Sequence, residues 1–351
     1  MLKSSINPTQ DTSLLLCHEL RTPLTSIQGA LKLLGYQHLD SLSDDAQRLL
    51  AIAINNADRL VRLTNALEVK PTPLLTILSS AKIELLQLEN DLHLAAEKQD
   101  FYLLYQPVIC LENKKIIGFE ALARWRHSTR GEIAPQVFIP LAEKTNLIYD
   151  IGLFLLDQAC RQLRQWQINF PSNPPLTMSV NLSAVQLQNP SLAEQISKIL
   201  AKNFLSLSSL KLEVTESALV ENADVAVKTL ANLRQLGVQI YIDDFGTGYS
   251  SLGRLQELPF DTLKIDQSFV RNKNWIMSEA ILMLAQKLGL DVIVEGVESL
   301  EDLINLKQLG CQRMQGYFFS KPVDPASIAD LLNHKFIEER LNFLEKSTLR
   351  T

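Results

Sequence analysis

Six carboxylates stand at the ends of short apolar runs: Glu120 in EALARW, Glu213 in EVTE, Asp243 and Asp244 in DDFG, and Glu295 and Glu298 in EGVE. Asn181 closes another such run, Asp266 follows Lys264 in LKID, and Gln315 opens QGYFF. Taken singly, each acid is more often a solvated loop residue or a helix cap; recurrence at successive run ends is what carries a functional reading. If they share one mouth they cannot all stay ionised without cations. Oxygen donors with no neighbouring His or Cys select hard divalent ions, Mg²⁺ or Mn²⁺, over zinc. The adjacent pair Asp243 and Asp244 suits two ions, one residue acting as a bridge. Two ions about 3.5–4 Å apart stabilise both the entering and leaving oxygens when water attacks a phosphodiester. Lys264 and Arg124 would add positive charge for the phosphates. The following DFGTGYSS lacks the Lys-Ser/Thr ending of a nucleotide P-loop, so it reads as a tight turn coupling the acids to substrate or dimer contacts.

Such a constellation needs elements that bring distant residues to one rim. From residue 101 onward eight strand candidates alternate with helical segments: YLLYQPVIC, KIIGFEALARW, LTMSVNL, KLEVTES, QIYIDDF, DTLKID, DVIVEGV and MQGYFF, with helices such as 184–203, 222–236, 276–289 and 299–309 between them. That pattern predicts an α/β fold, a (β/α)8 TIM-like barrel, whose C-terminal strand ends form the rim of an active site. Glu120, Leu122 and Arg124 share one face of the second strand by its two-residue period. Only LENKK separates the first two strands, too few residues for a crossover, so that pair is expected to be antiparallel.

Residues 14–68 read differently. Leu16, Leu20, Leu24, Ile27, Leu31 and Leu34, then Leu49, Ala53, Ala57, Leu60, Thr64 and Leu67, recur at three- and four-residue steps on either side of a break at 35–45. Two amphipathic helices cannot bury their own stripe, and dimerisation into a four-helix bundle is the usual solution. Pro71 and Pro73 mark a joint. The expected organisation is a helical hairpin at 1–70, a linker helix at 71–99 and the barrel at 100–347.

The 351 residues suit one small and one large module, and 46% apolar with 21% charged residues is a globular composition. Thirty-four basic against 39 acidic residues give −5, no basis for binding long nucleic acid. Four scattered cysteines suggest neither a zinc site nor a disulfide framework, and no apolar run reaches the ~18 residues of a membrane span. A cytoplasmic protein is the expectation.

YQPV (105–108), EALARW (120–125), FIPLAE (138–143), SVNLSA (179–184), EVTE (213–216), DDFGTGYSSL (243–252), DTLKID (261–266), EGVE (295–298) and QGYFFSKP (315–322) together resemble the EAL domain, over residues of about 90 to 345. The resemblance implies hydrolysis of cyclic di-GMP to linear pGpG. It implies that Glu120, Asn181, Glu213 and Asp243 hold one metal ion, and that Asp243, Asp244 and Glu295 hold a second. Lys264 would orient the nucleophilic water, Glu295 is a candidate general base, and Glu298 is a supporting acid. Gln106, Leu122, Arg124, Asp266 and Gln315 would lie at the substrate, with Glu216 bracing the DFGTGYSS loop. Departures from the family pattern are peripheral: Val137, Asn146, Val185 and Gln312.

The stretch His18-Glu19-Leu20-Arg21-Thr22-Pro23-Leu24 resembles the H-box of histidine-kinase dimerisation and phosphoacceptor domains. That makes His18 a candidate phosphoacceptor and implies a homodimer with a response regulator or a histidine kinase as partner. No ATP-binding module follows, so the chain is not expected to phosphorylate itself. Two rival readings follow from the same residues: a weakly catalytic cyclic di-GMP receptor, marked by a lost metal ligand, and a phosphorelay or response-regulator phosphatase scaffold using His18, Glu19 and Thr22.

Overall fold

Strand formation follows from alternation. In each run every second residue is one a barrel interior can use, and the intervening ones are apolar and face the helices. In the computed structural model, which describes residues 80–219, 223–247 and 258–333 together with Leu24, Ile27, Leu31, Ala53 and Ala57, eight strands close into a ring. They are β1 (Phe101–Cys110), β2 (Lys115–His127), β4 (Thr177–Asn181), β5 (Leu210–Thr215), β6 (Gln239–Phe245), β7 (Thr262–Ile265), β8 (Asp291–Val294) and β9 (Arg313–Met314). A short β3 (Gly131–Ile133), not expected from the sequence, folds back on the end of β2 outside the ring.

The reversed strand is β1. It pairs antiparallel with β2, from Phe101 opposite Trp125 to Cys110 opposite Lys115, and antiparallel with β9, while the other pairings of the ring are parallel.

Helices described are α1 (Ser80–Lys98), α2 (Pro135–Thr145), α3 (Ile148–Asn169), α4 (Ala184–Leu187), α5 (Leu192–Lys202), α6 (Ala223–Leu236), α7 (Gln267–Arg271), α8 (Trp275–Leu288), α9 (Leu300–Gln308) and α10 (Pro325–Asn333). The helix expected at 184–203 is two helices. Ser183 and Gln186 form a capping box at the start of α4, and Pro190, with no N–H to give, falls in the break before α5. The last strand expected, MQGYFF, contributes only Met314. At Gly316 a Cβ would come within 2.2 Å of the Val297 carbonyl oxygen, so the chain passes another backbone there instead of continuing a strand. Asn146 ends α2 in the left-handed region (φ 61°), a conformation asparagine tolerates.

Inside the ring, Val108, Tyr241 and Ile293, with Ile117 against them, form an apolar layer. Two-residue steps from it lead to polar layers at both poles: Asp243 and Glu295 on one side, Gln239 and Asp291 on the other. Outside, Trp166 of α3 lies 4.8 Å, centroid to centroid, from both Tyr105 and Phe119, sealing α3 against β1 and β2.

The chain divides into Met1–Leu88 and Glu89–Thr351, a boundary inside α1. In the first unit Leu24, Ile27, Leu31, Ala53 and Ala57 are helical. The rest of the expected hairpin and its bundle, including His18, Glu19 and Thr22, lies outside the described residues, as do 71–79, 248–257 and 334–347. Among the described residues no helix is long and apolar enough to cross a membrane.

Candidate active site at the C-terminal rim of the barrel

Lys264, the central inward residue of β7, is 1% exposed. Its ammonium lies 2.6 Å from Glu213, 2.6 Å from Glu295, 3.0 Å from Asp243 and 3.6 Å from Glu120. Burial alone would strip its proton; Asp243, Glu120, Glu213 and Glu295 overcome that and hold its pKa well above the ordinary lysine value. Four strands thus deliver four acids to a fifth strand's lysine.

The acids differ from one another. Burial, and then the neighbouring Glu120 charge, push Glu213 well above the usual carboxylate range, against the pull of Lys264. For Glu120 burial acts upward too, but Lys264 and the hydrogen bonds from Gln315 and Asn181 outweigh it and its carboxyl is lowered. Asn181 Nδ2 donates to Glu120 Oε1 at 2.9 Å, and Gln315 Nε2 donates to Glu120 Oε2 at 2.6 Å and to Gln106 Oε1 at 2.9 Å. Gln106 in turn donates to the Ser320 carbonyl at 3.0 Å. Gln315 Oε1 is buried with no hydrogen-bond partner.

Glu295 sits just past β8. Burial raises it to about 8 against the pull of Lys264, with Asp243 and Glu120 adding to the rise. Asp244, more open at the mouth, is raised to about 6 by desolvation and then by Asp243 and Asp266. Oxygens of Asp243, Asp244 and Glu295 all lie within 4.8 Å of one another. In a regular strand neighbours such as Asp243 and Asp244 point to opposite faces. Here Asp244 takes a left-handed backbone (φ 54°), and the register of β6 against β7 shifts between Ile242 and Phe245. The local irregularity turns both carboxylates to one side. Crowded oxygen donors with no His or Cys among them fit a hard divalent cation. The set Glu120, Asn181, Glu213 and Asp243 instead gathers on the Lys264 ammonium and its hydrogen-bond network.

Beside Asn181 opens a cavity of about 640 Å³ lined by Leu122, Arg124, Gln136, Glu143, Asn181 and Ser183 among others. Arg124 pairs with Glu132 of β3 at 3.5 Å, so the unexpected strand steadies a cavity residue. Asp266 caps α7 by accepting from Ser268 N at 3.0 Å. Glu216 Oε2 accepts from Gly246 N at 3.3 Å, at the start of the glycine loop. Glu298 is not brought into the cluster: its carboxylate is 45% exposed and lies 3.4 Å from Arg271. Neither Glu143 nor Ser183 stands out in the sequence as a site residue, although both lie inside quoted motifs.

The EAL domain profile matches residues 89–322, and the His Kinase A (phospho-acceptor) domain profile matches residues 15–69. Among curated relatives from Pseudomonas aeruginosa, the cyclic di-GMP phosphodiesterase NbdA is 40% identical over 252 residues, 70% of this chain and 32% of NbdA. The bifunctional diguanylate cyclase/cyclic di-GMP phosphodiesterase MucR is 42% identical over 245 residues, 68% of this chain and 36% of MucR. The chain thus spans about a third of the length of these relatives. A solved structure of the MucR phosphodiesterase in complex with c-di-GMP superposes with a TM-score of 0.65 at 40% identity, covering 69% of this chain and 99% of that one.

Proposed function

The chain belongs to the EAL domain family, and from that membership we propose that its barrel is a metal-dependent phosphodiesterase that hydrolyses cyclic di-GMP to linear pGpG. The observation that carries this reading is the convergence of Glu120, Glu213, Asp243 and Glu295 on Lys264, with Asp244 completing a three-carboxylate group. The likeness to cyclic di-GMP phosphodiesterases supports the substrate.

Asp243, Asp244 and Glu295 would hold one divalent ion, and Glu120, Asn181 and Glu213 with Asp243 a second, Mg²⁺ or Mn²⁺ in each case. Such ions, when bound, supply Lewis-acid charge to the phosphodiester and acidify water. The chain's own groups do the remaining work. Lys264 keeps the acids in place and orients the attacking water, and Glu295 serves as the general base. Leu122 and Arg124 form the base-and-phosphate wall of the cavity, while the free Gln315 Oε1 takes a donor from the substrate. Asp266 holds the α7 end beside Asp244, and Glu216 holds the loop that begins at Gly246.

The profile match at 15–69 supports regulation through a homodimeric hairpin, with a response regulator or kinase acting on it at His18. The free thiols of Cys110, Cys160 and Cys311 suit a reducing cytoplasm. Product analysis with cyclic di-GMP and Mg²⁺ tests the reading: pGpG accumulates with the parent and fails to with Glu120→Ala. No linear product from the parent overturns it.

A further inference from the structure

Helix α1 buries a stripe of Leu88, Leu92 and Ala95, at i, i+4 and i+7. Two acids beside that stripe are engaged by the barrel. His127, at the end of β2, places Nε2 3.0 Å from Asp91 Oδ2. Its Nδ1 accepts the backbone N–H groups of Thr129 and Arg130, each at 3.2 Å. Nδ1 is therefore the acceptor, and the proton of a neutral ring sits on Nε2 and is donated to Asp91. Glu89, 6% exposed, receives the Lys144 ammonium of α2. The residue before Lys144 on that helix is Glu143, whose Oε1 accepts from Ser183 Oγ at 2.6 Å. Ser183 caps α4 and stands two residues after Asn181, the donor to Glu120. Glu143, Asn181 and Ser183 all line the 640 Å³ cavity.

We propose that Glu143 is a positioning residue: it fixes the Asn181–Ser183 wall through Ser183, and the adjoining Lys144–Glu89 pair makes that fixation depend on the seating of α1. The partners are unequal: Lys144 is 62% exposed, whereas Glu89 is buried, so the pair is anchored at its Glu89 end. A shift of α1 therefore draws Lys144, and with it the C-terminal turn of α2, which carries Glu143. His127–Asp91 holds the same helix to β2, the strand that supplies Glu120, Leu122 and Arg124, so α1 is fastened to both sides of the cavity. The reaction at that cavity is taken from the function proposed above; the coupling stands on the contacts alone.

The test uses the full chain with Glu143→Ala, Glu143→Gln, Glu89→Gln and the double variant Glu89→Gln/Glu143→Ala, read by amide hydrogen exchange over residues 182–188, by KM and kcat for cyclic di-GMP, and by thermal melting. Glu143→Ala is expected to speed exchange in 182–188 by about tenfold and to raise KM by about tenfold with kcat within about twofold. Glu143→Gln, which still accepts from Ser183, stays within about twofold of the parent in both. Glu89→Gln speeds exchange in the same segment by about threefold although it lies on α1, and the double variant goes no further than Glu143→Ala alone. Unchanged exchange in 182–188 for Glu143→Ala, or effects that multiply in the double variant, overturn the proposal; a lowered melting temperature with KM unaltered reduces Glu143 to a structural residue and overturns it too. If the parent hydrolyses nothing, the functional reading fails by itself, and exchange still decides the positioning.

Discussion

The barrel holds a buried lysine near each pole, and the two are in opposite electrostatic states. Lys264, at the C-terminal pole, has three carboxylates within 3.0 Å and a pKa driven well above the ordinary value. Lys211, at the N-terminal pole and 7% exposed, is bound by uncharged acceptors, the Ser208 carbonyl at 2.7 Å and the Gln239 side chain. Burial brings it down to about 8, and Asp261 and Asp291 act too weakly to reverse that. Both are buried, Lys264 the more deeply. What separates them is the number of carboxylates in direct contact, so one barrel makes a permanent cation at the working end and a titratable amine at the other.

The largest expected effect is at the first lysine. Lys264→Met should lower turnover of cyclic di-GMP by about a thousandfold, the scale for losing a preorganised charge at the reacting centre. It should also cost about 3–5 kcal/mol in urea unfolding without added metal, because four acids lose their shared cation. A stable Lys264→Met protein would break the contrast. Next is metal. Mn²⁺ held at one concentration, about a hundred times its Kd at pH 7.5, should raise the melting temperature at that pH by about 5–10 °C. The shift should grow from pH 5.5 to 8.5, since Asp244 at about 6 and Glu295 at about 8 must release protons to bind an ion. The metal-free protein should behave oppositely. Both groups hold protons in the fold that the unfolded chain has lost, so its stability falls as pH rises from the unfolded carboxylate values, about 4, through these two. A metal shift independent of pH would remove Asp244 and Glu295 from the ligand set.

Lys211→Met sharpens the other half. The folded pKa lies below the unfolded one, so Lys211 opposes folding at neutral pH and that penalty disappears as pH rises from about 8 to the unfolded value near 10.4. The variant should match or exceed the parent by about 1 kcal/mol at pH 7, lose that margin by pH 10, and keep cyclic di-GMP turnover within about twofold. A large activity loss would mean that the two poles are not independent. Smallest is Glu298→Gln: with its carboxylate exposed and paired to Arg271, turnover should fall by no more than about fivefold, the equivalent of one surface ion pair.

These contrasts also mark what the sequence makes legible. Glu120, Glu213, Glu295 and Lys264 could be placed on one rim because their strands are regular and the two-residue period holds. The reversed first strand was legible from its five-residue connection. Asp243 and Asp244 were legible as residue types, but their joint orientation depends on a left-handed residue and a register shift that no period encodes. Glu298 is the other case: it lies three residues past Glu295, and its exposed side chain meets Arg271. Lys211 stood in plain view as the one charge before Glu213 in LKLEV, and only the closed ring shows that it faces inward at the far pole. The Glu143–Ser183 contact joins α2 to the end of β4 across 40 residues, a distance over which local pattern is silent.

The reversal of β1 has a consequence for how such a barrel can be governed. Because β1 runs against its neighbours, Phe101 lies beside Trp125, at the catalytic mouth, and Cys110 at the back. A barrel of eight parallel strands receives its chain at the back, and anything fused ahead of it must send a message through the whole length of the staves. Here one inverted stave delivers the upstream helix directly to the working face.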